Sequence, residues 1–501
     1  MSLRRNVIAN YLGQGWSAII GLAFVPIYIH YLGIEAYGLI GLFAVMQAWL
    51  TLLDINITPT LGREMARFTA GAQSLQGIRD LLRSLEIVCF GIAATICFAV
   101  WAGSDWLASD WLKAEKLPLV VVRDAIAVMA LLVAFRFVEG LYRSALFGLQ
   151  RQVWYNVVSA GLATLRCVGA VIVLSTVSPT IEAFFSWQAF VSLLSIIVLG
   201  LGTHRALPPA PVPAAFSAEA LLGVWRFAGG MMGLTLLALL LTQIDKILLS
   251  RLLSLDGFGL YTLAATVAGA LYLAITPVTT AFFPRLVELV SQGESAALAA
   301  AYHRGAQFVT ILTAPAALVL AFFGEGALFA WSGDAELARR AGPILSALAL
   351  GTFLNGLMYM PYQLQLAHGW TSLAIKINAA AVLILVPAIF WAVPRYGAPG
   401  AACVWIVLNA GYILIGIHLM HRRILTDEKW RWFMCDVGLP TLGAGAILLL
   451  LHAFKPSALS DRVAWLEFLT VGFAAAVVTS IGTIKDLRMQ ISVSIRRAAS
   501  T

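Results

Sequence analysis

Charged residues are scarce in this chain of 501 residues, since they make up 12% of it while hydrophobic residues make up 60%. Soluble domains usually contain about 25% charged residues. A soluble chain of this length would also divide into two or more domains, each needing a charged surface. Disorder is excluded because a disordered chain combines low hydrophobicity with high charge. The composition therefore predicts an all-α, polytopic integral membrane protein.

The usual signatures of catalytic and metal-binding proteins are also missing. The chain has five cysteines and no CxxC pair, which predicts neither a disulfide framework nor a metal site. No GxxxxGK[ST] loop, HExxH motif or GxSxG motif occurs. The longest predicted connections, 59–84, 203–223 and 284–304, leave little room for a soluble catalytic domain. We therefore expect a transporter rather than an enzyme, and no cofactor.

What the chain does contain is a nearly continuous series of apolar runs. A run of about 20 apolar residues can cross a membrane as a helix, and about fourteen such runs are present. The predicted spans are 7–29, 36–58, 85–103, 118–147, 153–176, 181–202, 224–251, 257–283, 305–331, 341–366, 372–393, 398–420, 436–454 and 463–484. Since the first run is too long for a signal peptide, we expect it to be an uncleaved span.

The net charge of +8 is best explained by topology. If Met1 is cytoplasmic, most of the 33 lysines and arginines fall in cytoplasmic segments. By the positive-inside rule, this distribution predicts that both termini are cytoplasmic and that the number of spans is even. The positive charge therefore does not indicate a nucleic-acid partner.

The two halves of the chain repeat each other. The segment YLGIEAYGLIGL at Tyr31–Leu42 matches LLSLDGFGLYTL at Leu252–Leu263 at an offset of 221 residues. Both segments follow a predicted span of the same direction, so the repeat is parallel, an arrangement in which transporters bind substrate between the halves. Chance similarity of short glycine-rich loops is the alternative explanation.

Proline is concentrated between the sixth and seventh predicted spans. Four prolines occur in the six positions Pro208–Pro213, which predicts a stiff, extended linker. We therefore expect an N-lobe at 1–203 with helices 1–6 and a cytoplasmic linker at 204–223. A C-lobe with helices 7–12 would follow at 224–420, and helices 13–14 with a basic cytoplasmic tail at 421–501.

Several of these segments together resemble a known family. The stretch from Asn6 to Leu42, with Pro26 late in its first span, is similar to the opening of polysaccharide flippases of the multidrug/oligosaccharidyl-lipid/polysaccharide exporter superfamily. Leu239–Ala264, LLLTQIDKILLSRLLSLDGFGLYTLA, and the stretch Pro277–Pro284 resemble the second lobe of the same proteins. The resemblance implies two pseudo-symmetric six-helix lobes with two further C-terminal helices.

The resemblance also implies a function. Such a flippase would move an undecaprenyl-diphosphate-linked oligosaccharide, of O-antigen type, from the inner to the outer leaflet of a bacterial inner membrane by alternating access. Its expected partners are the lipid-linked oligosaccharide, membrane lipids and other proteins of polysaccharide assembly.

Charges inside predicted spans are costly and are therefore candidates for function. Arg136, Glu139 and Arg143 share one helical face in the fourth span, and Arg166 lies in the middle of the fifth. Arginine suits phosphate because its planar fork donates two parallel hydrogen bonds. We expect Arg136 and Arg166 to hold the diphosphate, with Arg143 at the inner end of the cavity. The alternative is structural, with Glu139 pairing with an arginine to join two helices.

Weaker candidates lie elsewhere. Lys246 is a fourth candidate for the diphosphate, although a lysine at this depth can also extend to the membrane interface. The carboxylates that could couple transport to protons or sodium are Asp54, Glu139 and Asp245, for which helix capping or pairing is the alternative. The polar side chains that could contact sugar are Asn6, Asn10, Gln14, Asn355 and Tyr359, for which hydrogen bonding between helices is the alternative.

Three other functions compete with the flippase. A drug/cation antiporter of the same superfamily would need exposed carboxylates in its cavity, whereas arginine and lysine are present in these spans. An enzyme acting on lipid-linked sugars would need a large outer loop, and none is predicted. A non-transporting membrane scaffold is the third alternative.

Overall fold

The computed structural model describes residues 3–53, 57–209, 212–218, 221 and 232–484, and every regular element in these ranges is a helix. The chain divides into two compact units, Met1–Gly259 and Leu260–Thr501. The boundary therefore lies 46 residues after Pro213, rather than in the proline-rich linker. Helices on both sides of that linker pack within the first unit. The predicted lobe boundaries stay a prediction.

The first unit contains seven long helices and the start of an eighth within its described residues. They are α1 (Leu3–Leu53), α2 (Ile57–Thr69), α3 (Leu75–Ala102), α4 (Leu119–Gly148), α5 (Gln152–Thr176), α6 (Ile181–Ala206), α7 (Met232–Leu252) and α8 (Leu255–Gly269). Its buried core lies where α3, α4 and α6 meet, and it includes Leu82, Leu85, Val133, Leu141 and Leu199.

The described residues of the second unit continue from the end of α8. The further helices are α9 (Tyr272–Gln292), α10 (Ser295–Ser332), α11 (Ala335–Leu357), α12 (Tyr359–Ala367), α13 (Ser372–Gly411), α14 (Leu439–Leu451) and α15 (Arg462–Gly482). The turns Tyr412–Ile417 and Trp432–Gly438, which extend α13 and precede α14, are π-helical.

The predicted membrane class is confirmed, because ten helices in the described residues are long and apolar enough to cross a membrane. The number of fourteen spans stays a prediction. Breaks inside long helices explain part of the difference. Gly33, with φ 81° and ψ 166°, interrupts α1 between the first two predicted spans, and Gly397, with φ 60°, interrupts α13 between the eleventh and twelfth. Only glycine adopts these conformations without strain.

The two repeat segments approach each other inside the first unit. The carboxylate of Glu35, which is 4% exposed, accepts hydrogen bonds from the backbone N–H groups of Glu115 at 2.6 Å, Lys116 at 2.9 Å and Leu117 at 3.2 Å. Asp256, its counterpart in the repeat, contacts Nζ of Lys116 at 3.4 Å. The two equivalent acidic residues therefore bind the same short connection before α4.

In the second unit, a buried polar cluster attaches the segment before α14 to α10. His303 contacts the fully buried Asp436 through Nδ1 and Glu428 through Nε2 at 2.9 Å. Gln307 donates to the other carboxylate oxygen of Asp436 at 2.8 Å. These contacts hold the first of the two predicted extra helices against the second unit.

Candidate functional site

A polar cavity of about 560 Å³ lies inside the first unit, and we call it the arginine cavity. Its walls come from α1, α2, α4, α5 and α6, whose packing leaves this space among otherwise apolar faces. Four charged side chains line it: Arg136, Glu139, Arg143 and Arg166. The four charges that the sequence singled out in the fourth and fifth spans are therefore brought together.

Glu139 lies between two of the arginines. Both of its carboxylate oxygens are 3.2 Å from Nη2 of Arg166, and Oε2 is 3.5 Å from Nη1 of Arg136. The side chains are largely buried, with exposed fractions of 21% for Arg136, 16% for Glu139 and 12% for Arg166. The ion pairs link α4 to α5, which is the helix-joining role that the sequence left open.

The arginines keep unused hydrogen-bonding capacity. Arg166 also donates from Nη2 to Oγ of Ser195 on α6 at 2.9 Å, which fixes the position of the guanidinium. The Nε atoms of Arg136 and Arg166 are buried and have no hydrogen-bond partner among the described residues. A guanidinium has five N–H donors, so both side chains can still receive an anion.

Arg143 is exposed to the cavity and forms no ion pair within the described part of the chain. It also lines an adjoining cavity of about 610 Å³, together with Gln14, Tyr155 and Asn156. The adjoining cavity extends the polar space along α1 toward the N-terminus. With three arginines and one glutamate, the combined space has an excess of positive charge.

Two of the predicted sugar contacts near the N-terminus already have amide partners. Asn6 donates to Gln150 at 3.3 Å, and Asn10 donates to Gln152 at 2.9 Å. Asn156 donates in turn to Asn10 at 2.6 Å. These bonds tie α1 to the start of α5. Of the predicted sugar contacts Asn6, Asn10 and Gln14, only Gln14 lines the adjoining cavity.

The remaining candidates lie away from the arginine cavity. Lys246 and Asp245 are on α7 and do not line it. Asp54 lies outside the described residues. Asn355 accepts a hydrogen bond from Tyr272 at 2.9 Å and donates to Asn409 at 2.8 Å, within the second unit. The ring of Tyr359 packs against Tyr272 with centroids 5.8 Å apart.

Several polar residues of the cavity were missed from the sequence. Tyr28, Gln47, Tyr155 and Gln188 line the arginine cavity, and the hydroxyl of Tyr28 is buried. A glutamine within an apolar run is the signal that could have identified Gln47 and Gln188. Tyr28 has no such signal, because tyrosine is equally common as an interface anchor in membrane helices.

The chemistry available here is recognition of an anion. Two buried guanidiniums and one exposed guanidinium surround a polar space, and hydroxyl and amide groups suited to sugars lie beside them. Among the described residues, no group of three His, Cys, Asp or Glu side chains is placed to hold a metal ion.

Comparisons with known proteins place this geometry in a wider context. Residues 3–290 match the family described as "Polysaccharide biosynthesis protein". A Shigella flexneri protein provisionally named an O-antigen transporter is 19% identical over 415 residues, which cover 82% of this chain and 96% of that protein.

Two solved structures show that the fold is shared with transporters. The lipid II flippase MurJ, in an inward closed conformation, superposes with a TM-score of 0.73 and 12% identity, covering 96% of this chain and 99% of that one. An inward-facing multidrug transporter of the MATE family, in the MOP superfamily, superposes with a TM-score of 0.61 and 15% identity, covering 86% and 96%.

Proposed function

Because this chain belongs to the polysaccharide biosynthesis protein family, we propose that it flips a polyprenyl-diphosphate-linked oligosaccharide across a bacterial inner membrane. The family confirms the resemblance seen in Asn6–Leu42 and Leu239–Ala264. A multi-pass transporter of lipid-linked saccharides is the coarse function that the family and the shared fold support. Undecaprenyl diphosphate as the carrier, O-antigen as the glycan and cytoplasmic termini are the finer parts of the proposal.

The arginine cavity is the observation that carries the proposal. A flippase must move a diphosphate and its sugars past hydrocarbon, and the positive charge of Arg136, Arg143 and Arg166 compensates the negative charge of the diphosphate. Gln14, Gln47 and Gln188 are suited to the hydroxyl groups of the first sugars. Since the excess charge is positive, the cavity favours this substrate over the cationic drugs of the alternative antiporter.

Flipping in proteoliposomes tests the proposal. The full chain is reconstituted with a fluorescent polyprenyl-diphosphate oligosaccharide, and movement of the head group is followed with a membrane-impermeant quencher. We expect Arg143→Ala to slow flipping about tenfold, because one charge-assisted contact to phosphate is lost. Arg143 forms no ion pair among the described residues, so this variant breaks no ion pair between them. The Arg136→Ala, Arg166→Ala double variant should abolish flipping.

The matched control is Arg285→Ala, which removes an exposed arginine that pairs with Glu288 on α9 of the second unit. It should flip at the rate of the wild-type protein. Wild-type rates for both Arg143→Ala and the double variant, at equal incorporation, would disprove a diphosphate site in the arginine cavity. Faster movement of an organic cation than of the lipid-linked sugar would support the drug/cation antiporter instead.

A further inference from the structure

Glu139 accepts hydrogen bonds from guanidinium groups that could also donate to a phosphate oxygen. Its two carboxylate oxygens accept hydrogen bonds from Nη2 of Arg166, and one of them also contacts Nη1 of Arg136. A carboxylate and a phosphate accept the same kind of charge-assisted bond from a guanidinium. The side chain of Glu139 therefore stands in for the anion that the proposed function brings to this cavity.

The ion pairs of Glu139 are also loose. Strong charge-assisted N–H···O bonds are about 2.7–2.9 Å long, whereas these distances are 3.2 Å to Arg166 and 3.5 Å to Arg136. Neither oxygen of Glu139 has another hydrogen-bond partner among the described residues, while Arg166 is held separately by Ser195 at 2.9 Å. The arginine is thus fixed, and the glutamate is the partner that can leave.

We propose that Glu139 is a resident counter-ion that the diphosphate of the substrate displaces, and that its return to Arg166 promotes release. This inference depends on the proposed function. A carrier must bind its substrate strongly enough to load it and weakly enough to let it go. Glu139 keeps binding weak enough for release, because its charge repels the diphosphate and competes for the same guanidinium donors. It is a positioning residue that adjusts affinity.

Binding of farnesyl diphosphate, a short-chain polyprenyl diphosphate, to the purified full chain in detergent tests this role. Glu139→Gln is expected to bind the probe about tenfold more tightly than the wild-type protein, because the competing charge is gone. Glu139→Asp keeps the charge and should restore an affinity near that of the wild type. In proteoliposomes, Glu139→Gln should flip the lipid-linked sugar more slowly at saturating substrate, since release is slower.

A purely structural role for Glu139 gives a different result. If its ion pairs only join α4 to α5, Glu139→Gln will weaken probe binding and flipping together, and that result would overturn the proposal. Unchanged affinity in Glu139→Gln would overturn it as well. Glu288→Gln on α9 is the matched control for loss of one carboxylate from an arginine pair. Its affinity should equal that of the wild-type protein.

A measurement on the wild-type chain does not depend on whether a variant folds. In a structure with farnesyl diphosphate bound, the carboxylate of Glu139 should lie more than about 4 Å from Arg166, beyond ion-pair distance. Retention of the 3.2 Å contact with the probe bound would overturn the displacement. Failure of the proposed function is distinguishable, because the Arg136→Ala, Arg166→Ala variant would then bind the probe as well as the wild-type protein.

Discussion

Glu86 shows how a single buried charge organises the first unit. Its side chain is 4% exposed, yet it accepts a hydrogen bond from Tyr142 at 3.0 Å and contacts His204 at 2.8 Å and Arg83 at 3.5 Å. Tyr142 is on α4 and His204 is near the end of α6, so one carboxylate on α3 connects three helices. A buried carboxylate is tolerated only when it is satisfied in this way.

Removal of this carboxylate should destabilise the protein. Glu86→Ala leaves the hydroxyl of Tyr142 buried without its partner, and we expect a loss of about 2 kcal/mol, typical for a hydrogen bond to a charged group. The measurement is thermal unfolding in detergent. Glu288→Ala, which breaks the exposed pair with Arg285, is the control and should leave the unfolding temperature nearly unchanged. Equal unfolding temperatures for the two variants would contradict the role given to Glu86.

The sequence predicted the charged residues of the cavity and offered the pairing of Glu139 with an arginine, but it did not predict their other partners. Arg136 and Arg166 were identifiable because a charge inside an apolar run is rare. Ser195 and His204 were not, because their partners Arg166 and Glu86 are distant from them in sequence. Glu86 and His204 are separated by 118 residues, and the packing of three helices decides that they meet.

At the scale of helices, α1 and α8 approach each other closely at the two repeat segments. A Cβ atom on Gly259 of α8 would clash with the carbonyl oxygen of Ile34, and one on Gly38 would lie 2.5 Å from the carbonyl oxygen of Leu255. These glycines are equivalent in the repeat, at the offset of 221 residues. The predicted repeat thus identified two positions at which only glycine fits between α1 and α8.

We expect Gly259→Ala to strain this contact. The added methyl group meets backbone rather than a flexible side chain, so the helices must separate, at a cost of about 1–3 kcal/mol. Thermal unfolding measures the loss. Gly269→Ala is the matched control on the same helix, because a Cβ there meets nothing within 4 Å among the described residues. If Gly259→Ala unfolds at the same temperature as Gly269→Ala, the close approach of α1 and α8 is wrong.

The helices and the breaks at Gly33 and Gly397 were largely predictable, whereas the π-helical turns were not. Each predicted span falls almost entirely on helix wherever its residues are described, because an apolar run of this length has no other way to satisfy its backbone in a membrane. The π-helical turn at Trp432–Gly438 was not predicted from the sequence. The division after Gly259 reflects the packing of α7 against α1, which composition does not reveal.

At the scale of the first unit, the polar space has two different ends. Toward the N-terminus it continues past Gln14 and Arg143 into the adjoining cavity. Away from the N-terminus, near the break at Gly33 within α1, Lys116 binds both Glu35 and Asp256, and Gly38 and Gly259 pack closely. The cavity of this unit is therefore extended by polar groups on the side that carries the predicted cytoplasmic terminus.

This asymmetry predicts the side from which Cys167, which lines the arginine cavity, can be labelled. In a chain that keeps Cys167 as its one cysteine, a membrane-impermeant, anionic thiol reagent should react faster in inside-out vesicles than in right-side-out ones. The positive cavity should also favour the anionic reagent over a cationic one of similar size.

A chain that keeps Cys403 instead, on an apolar face of α13, is the control and should react slowly from both sides. Faster labelling of Cys167 from the outside would contradict the predicted orientation. A preference for the cationic reagent would contradict the charge that supports a diphosphate substrate.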